Sequence, residues 1–216
     1  MVPPHPKHAP ADHDILDVIR ERWSPRAFDP GRPLPRSELH RLFEAARWAP
    51  SSSNEQPWRF VVADRHRTPE DFTALKGALH TSNQAWASSA PVLILVAVSL
   101  LHSRTGGVNR SAWYDTGQAV GFLTLQATAI GVAIRQMEGF DRALARDACA
   151  VPESFEPGIV MAVGYSGDPE SLSSERHRVL ERQPRSRQPI EEFVFEGRWG
   201  VRISTLLSVQ DQTLEP

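Results

Sequence analysis

Apolar residues recur along the chain at two periods, near 3.6 and in short continuous runs, and these spacings predict most of its secondary structure. From Asp14 onward, Ile15, Leu16, Ile19 and Trp23 fall at helical intervals, and Pro25 pushes Ser24 out of helical geometry, so a first helix should end near Arg22. A second, with Leu39, Leu42, Phe43 and Ala46 on one face, is expected between the prolines at 33 and 35 and the stop at Pro50. Trp58 to Ala63 reads as a strand, and Thr68 with Pro69 as a cap and first helical position for a helix carrying Phe72, Leu75 and Leu79. Val92 to Val98 reads as a buried strand. The stretch from Trp113 to Ile130 carries a helical stripe through Val120, Leu123 and Ala127, closed by Gly131 as a left-handed cap, and should be the central core helix. A short strand at Val132 to Arg135, a turn at Glu138 to Phe140, a small helix around Cys149 and a strand at Ile159 to Gly164 complete a mixed α and β pattern without internal repeats. Ser166 to Arg187 is either a polar linker or a surface helix.

The 216 residues suit one globular domain or one protomer of an intertwined oligomer. Residues 1–13, rich in Pro and His, are expected to be a flexible lead-in, 14–195 the main domain, and 196–216 a tail packed on that domain or on a partner subunit. Trp199, Leu206, Leu207 and Val209 in that tail would be costly to leave in water. A formal net charge of -2 argues against non-specific attraction to nucleic acid or anionic membrane, so any phosphate recognition must be local. Lys7 and Lys76 are the only lysines, leaving arginine, whose planar fork grips phosphate bidentately, as the main cation. The single Cys149 forms no internal disulfide, which fits a reducing compartment, and the cytoplasm is the expected location. The apolar run from Ala90 to Leu101 is interrupted by Pro91 and is shorter than the roughly 20 residues of a membrane helix. None of the histidines shows the paired spacing of a metal site, and no metal ligand is nominated.

Arg22, Ser24 and Arg26 occupy alternate positions past a helix end, so an extended backbone could turn all three toward one anion. Arg185 and Arg187 repeat the spacing between Pro184 and Pro189. Each pattern alone reads more readily as a solvated surface turn. The stretch Pro50-Ser51-Ser52-Ser53-Asn54-Glu55-Gln56-Pro57-Trp58 gathers hydroxyls and amides in a stiff helix-to-strand loop able to face a planar polar ligand, or merely to connect two elements.

Taken together, Arg22-Trp23-Ser24-Pro25-Arg26 and the Pro50 to Trp58 loop resemble the FMN-dependent nitroreductase superfamily in residues and spacing. The resemblance runs from about Ile15 to Phe193: Asn83 ahead of a strand, Asp115-x-Gly117 opening the long helix, Gln136-Met137-Glu138-Gly139-Phe140-Asp141, Ala162-Val163-Gly164-Tyr165, and Arg185-Ser186-Arg187 follow in the family's order. It implies an α+β fold with a central, mainly antiparallel sheet surrounded by helices, in an intertwined homodimer with FMN at the interface. By the same carry-over, Arg22, Ser24, Arg26, Arg185 and Arg187 hold the FMN phosphate with Trp23 among them. Asn83 contacts the flavin, Gln136, Met137, Glu138 and Gly139 lie beside it with a backbone N–H at N5, and Pro50, Ser51, Ser52 and Asn54 reach the ring from the other subunit.

The implied activity is ping-pong hydride transfer from NADH or NADPH through flavin N5 to a nitroaromatic, quinone or similar electron-poor acceptor, with no catalytic side chain. Two departures stand out. Many relatives place a Lys three residues after the Asn, where this chain has Trp86, and the segment between Val98 and Trp113 is too short for the helical lid of some branches. Two other functions stay open: a flavin dehydrogenase or oxidase acting on a biosynthetic intermediate, and a non-catalytic flavin-binding module.

Overall fold

The computed structural model describes residues 7–202, which form seven α-helices and one four-stranded sheet. The chain divides into two compact units, Met1–Pro184 and Arg185–Pro216. In the first unit the strands are β1 (Trp58–Asp64), β2 (Val92–Ser99), β3 (Ala133–Met137) and β4 (Phe155–Gly164), in spatial order β1-β2-β4-β3 with every neighbouring pair antiparallel. The helices are α1 (Asp17–Glu21), α2 (Arg36–Arg47), α3 (Pro69–Gly77), α4 (Thr81–Ala87), α5 (Ala112–Ala129), α6 (Arg142–Ala148) and α7 (Glu175–Arg182).

Strand β2 explains its own sequence. It lies between β1 and β4, and side chains alternate across a strand, so both of its faces must be apolar. Leu93, Leu95 and Ala97 point into a core with Phe72, Leu75, Trp86, Phe140 and Val160; Val92, Ile94 and Val96 point into a second core with Leu42, Leu123, Ile134 and Met161. Helices α3, α4 and α6 cover the first face, α2 and α5 the second. The α+β fold with a central antiparallel sheet between helices is therefore as expected.

Element ends follow local chemistry. Gly131 follows α5 at φ 75°, the left-handed stop expected of it. Pro69 opens α3, but the Thr68 hydroxyl, expected to cap that helix, instead accepts the Asp64 N–H at 3.0 Å. Strand β4 starts at Phe155, four residues earlier than its apolar run suggests, because the ladder continues past Pro157 and Gly158 through an irregularity opposite Val96 and Ala97. The small helix α6 ends before Cys149, and its N-cap Asp141 accepts the Leu144 N–H at 3.0 Å. Helix α4 has no counterpart in the sequence pattern. The polar stretch after Ser166 forms α7, and Lys7 docks on it, donating to the carbonyls of Leu180 (3.1 Å) and Gln183.

In the second unit a short turn at Ile190–Glu192 precedes an antiparallel bridge between Phe195 and Arg202, with the rings of Phe195 and Trp199 4.9 Å apart. Leu206, Leu207 and Val209 lie outside the described residues. None of the described helices is long and apolar enough to cross a membrane.

Candidate functional site

Past α1 the chain runs as an extended segment that is tied to the continuation of β4. The Asp29 N–H donates to Tyr165 O at 3.0 Å, the Gly167 N–H to Ala27 O at 2.9 Å, and Phe28 bridges Ser166. A Cβ at Gly167 would lie 2.6 Å from the Phe28 carbonyl, so only glycine lets the two backbones approach this closely.

The chemistry of the segment is cationic. One Arg22 N–H donates to Ser24 Oγ at 3.0 Å, and the Arg135 guanidinium, reaching over from β3, donates to the Ser24 carbonyl at 2.6 Å. Arg135 also lies over the Trp86 ring, 5.3 Å from its centroid. From α7, Glu181 Oε1 accepts the N–H groups of Arg26 at 2.8 Å and Ala27 at 3.0 Å. Its Oε2 is buried without a hydrogen-bond partner among the described residues. The predicted trio of Arg22, Ser24 and Arg26 is thus joined by Arg135 and Glu181, while Lys7 Nζ stands 5.4 Å above the Trp23 ring.

The crowding shifts the titration of these groups. Burial first, then the charge of Arg26, lowers Arg135 to about 10, with Glu181 opposing; it stays charged at neutral pH. Arg26 is lowered for the same leading reason, with Glu181 raising it and Arg176 lowering it. His177, on α7, is lowered by burial and then by Arg26, Arg176 and Arg135.

The loop after α2 holds three non-glycine residues in left-handed geometry, Ser53 (φ 54°), Asn54 (55°) and Gln56 (46°). Two carboxylates fasten it. Buried Asp115, at the start of α5, accepts the Ser52 N–H at 3.0 Å and the Ser111 hydroxyl at 2.9 Å. Glu55 accepts the Ser103 N–H at 2.8 Å and faces His102 Nδ1 at 3.4 Å; its carboxyl is held below the usual range by Ser103 first and His102 after it. Within the loop, Ser51 Oγ accepts the Gln56 N–H at 3.1 Å. Pro50, Ser52 and Asn54 are left exposed, and Ser51 half-buried.

At the far end of β3, Asn83 Nδ2 donates to the Gly139 carbonyl at 3.0 Å, and the His80 N–H donates to the same oxygen at 3.0 Å. Gly139 sits in a tight spot, since a Cβ there would stand 3.0 Å from Asn83 Nδ2 and 3.2 Å from His80 Nδ1 and would press on both side chains. Gln136 contacts Thr124 Oγ1 at 3.5 Å, Met137 is buried, and exposed Glu138 pairs with Arg142 at 3.4 Å. Strand β3 therefore carries Arg135 at the basic segment and leads directly into the Gln136–Gly139 run. Arg185 and Arg187 belong to the second unit, where Arg185 is half-buried and Arg187 is exposed and donates to Ser186 O at 2.7 Å.

Arg135 and Glu181 are the site members that the sequence pattern did not disclose. Arg135 read only as the end of a strand, and Glu181, inside Glu175-Arg176-His177-Arg178-Val179-Leu180-Glu181-Arg182, as one charge on a solvated face.

A profile of the Nitroreductase family matches residues 19–165. An uncharacterized 15.4 kDa protein of Mycolicibacterium smegmatis is 34% identical over 152 residues, covering 66% of this chain and 97% of that protein. The major NAD(P)H-flavin oxidoreductase of Aliivibrio fischeri is 28% identical over 92 residues, which is 43% of this chain and 42% of that one. Among solved structures, an oxidoreductase containing FMN superposes with a TM-score of 0.81 at 31% identity, over 90% of this chain and 97% of that chain. With the profile spanning the basic segment, the Ser51 to Gln56 loop and the whole sheet, the chain belongs to the Nitroreductase family.

Proposed function

We propose that this protein is an FMN-dependent oxidoreductase that takes hydride from NADH or NADPH and passes it to a nitroaromatic, a quinone or a similar electron-poor small molecule, working as a homodimer. One observation carries the reading. Arg22, Ser24, Arg26 and Arg135 gather at one place in a chain of net charge -2. Among the described residues, no carboxylate oxygen comes within 4.0 Å of the Arg26 or Arg135 guanidinium. A phosphate of nearly two negative charges suits that donor set through charge-assisted forks. The FMN named for the solved relative, and the NAD(P)H and flavin named for the Aliivibrio fischeri enzyme, support the same assignment.

Bound FMN would supply the hydride chemistry, so the chain's own residues bind and orient rather than act as acid or base. In this reading Arg22, Ser24 and Arg26, with Trp23 beside them and with Arg185 and Arg187, hold the phosphate. Asn83 fixes the Gly139 peptide through its 3.0 Å bond, keeping the Gln136–Gly139 backbone in place beside the flavin. Pro50, Ser51, Ser52 and Asn54 would serve the partner's flavin, on a loop stiffened by Asp115 and Glu55. Support for the homodimer comes from α1 with the Leu16 that precedes it and from α5, which leave Leu16 (71%), Ile19 (41%), Trp113 (47%), Tyr114 (73%) and Phe122 (43%) exposed, an apolar set that a second copy would cover.

The test is an anaerobic titration of the FMN-reconstituted protein with NADH and then NADPH, following the flavin absorbance. Bleaching with at least one nicotinamide is expected, and none with either overturns the oxidoreductase reading. Reduction only by an organic substrate, with peroxide released on re-exposure to air, would favour the biosynthetic dehydrogenase instead. Sedimentation at the mass of two chains is expected, and a monomer would remove the homodimer.

A further inference from the structure

We propose that Arg135 is an anion-binding residue of this site, one that sets its preference for a phosphorylated over an unphosphorylated flavin. The inference rests on the FMN reading above and adds to it a residue from outside the Arg22–Arg26 segment. Arg135 reaches that segment from β3, and its bond to the Ser24 carbonyl at 2.6 Å places its guanidinium on the same residue whose hydroxyl Arg22 holds at 3.0 Å. An arginine has five N–H donors in a rigid fork. The Ser24 carbonyl is the one hydrogen-bond partner that the described residues give the Arg135 guanidinium, so donors remain for a ligand.

The placement of the charge points the same way. The guanidinium is half-buried, feels the repulsion of Arg26, and has no carboxylate within 4.0 Å among the described residues. Glu181 attracts it only from a distance, since that carboxylate spends Oε1 on the N–H groups of Arg26 and Ala27. A cation desolvated beside another cation is costly until an anion arrives. The Trp86 face, 5.3 Å from the guanidinium carbon, steadies the charge without neutralising it. Trp86 is itself buried at 2% exposure and packed against Phe28, so it makes a fixed platform that holds the Arg135 head at Ser24.

The experiment compares the dissociation constants of FMN and riboflavin, which differ only by the phosphate, by fluorescence quenching in the wild-type protein and in Arg135→Gln and Arg135→Lys. The wild-type should prefer FMN; failure to bind FMN at all would sink the cofactor reading itself, separately from the role of Arg135. Given that preference, Arg135→Gln should weaken FMN by about ten-fold or more while riboflavin changes little, as for the loss of a charge-assisted bond. Arg135→Lys should recover part of the difference, and inorganic phosphate should compete with FMN less well in Arg135→Gln than in the wild-type. Equal weakening of both flavins would make Arg135 a packing residue and overturn the proposal, as would an unchanged FMN constant. Should the Gln variant fail to fold, Arg135→Met keeps an unbranched stem against Trp86 and is read by the same ratio.

Discussion

The carboxylate of Glu181 accepts the backbone N–H of Arg26 at 2.8 Å across 155 positions of sequence. A second bond, from the Ala27 N–H at 3.0 Å, makes this one side chain the acceptor for two consecutive peptides of the basic segment. With both peptides fixed, the direction in which the Arg26 side chain leaves the backbone is fixed as well. Glu181→Ala should therefore cost about 2 to 4 kcal/mol, since it strands two donors, one of them buried, while Glu181→Gln keeps an acceptor and should cost less. Urea unfolding midpoints of the two variants give the comparison, and equal midpoints for Ala and wild-type would refute it.

His177 should give the protein an acid-sensitive step. Its folded pKa is lowered from 6.5 by burial first and by Arg26, Arg176 and Arg135 after it. Below pH 6.5 the unfolded chain then binds more protons at this residue than the folded chain does, so stability falls as pH drops and is regained as pH rises through the same window. Thermal melts between pH 7 and about 5 should show a flatter pH dependence for His177→Asn than for the wild-type. Parallel curves would show that His177 does not contribute.

Asp115 holds the Ser52 N–H and the Ser111 hydroxyl on one oxygen, linking α5 to the loop with three left-handed residues. Asp115→Ala should destabilise by about 1.5 to 3 kcal/mol, the usual range for losing a charged hydrogen-bond partner. The loop should also become more open to proteolysis between Ser51 and Gln56 than the same loop in Asp115→Asn. A cleavage pattern identical to wild-type in both variants would mean that the loop holds its shape without the carboxylate.

The phosphate assignment can be probed from both ends of the chain. Combining Arg22→Ala with Arg185→Ala should weaken FMN binding by about 1.5 to 3 kcal/mol for each charge-assisted bond lost. Isothermal titration reads this directly, and an unchanged affinity would remove both residues from the phosphate site.

Most of the fold was legible where one local rule acted alone. The two-sided burial of β2 writes itself as an unbroken apolar run from Val92 to Val98, and Gly131 marks the end of α5 because only a left-handed residue continues the chain there. Helix α4 escaped because only Trp86 and Ala87 of its seven residues are buried, too few to set a period, and no side chain caps its start. Pro157 and Gly158 concealed the first half of β4, whose ladder tolerates them at an irregularity. At the candidate site, the alternate spacing of Arg22, Ser24 and Arg26 did not distinguish them from a solvated turn, and they, like Asn83 and Gly139, were picked out through the resemblance to the family. Arg135 and Glu181 were not, because a guanidinium over an indole and a carboxylate beneath two peptide N–H groups are contacts between distant segments with no local signature.

The bridge from Phe28 to Ser166, with the Gly167 N–H on Ala27 O, makes the shape of the basic segment a long-range property of the chain. Its geometry depends on a stretch of chain far along the sequence, and closing so long a loop is entropically unfavourable until the contacts around buried Phe28 offset it. An anion that recognises the segment only when the bridge is made would therefore stabilise the bridged state by mass action.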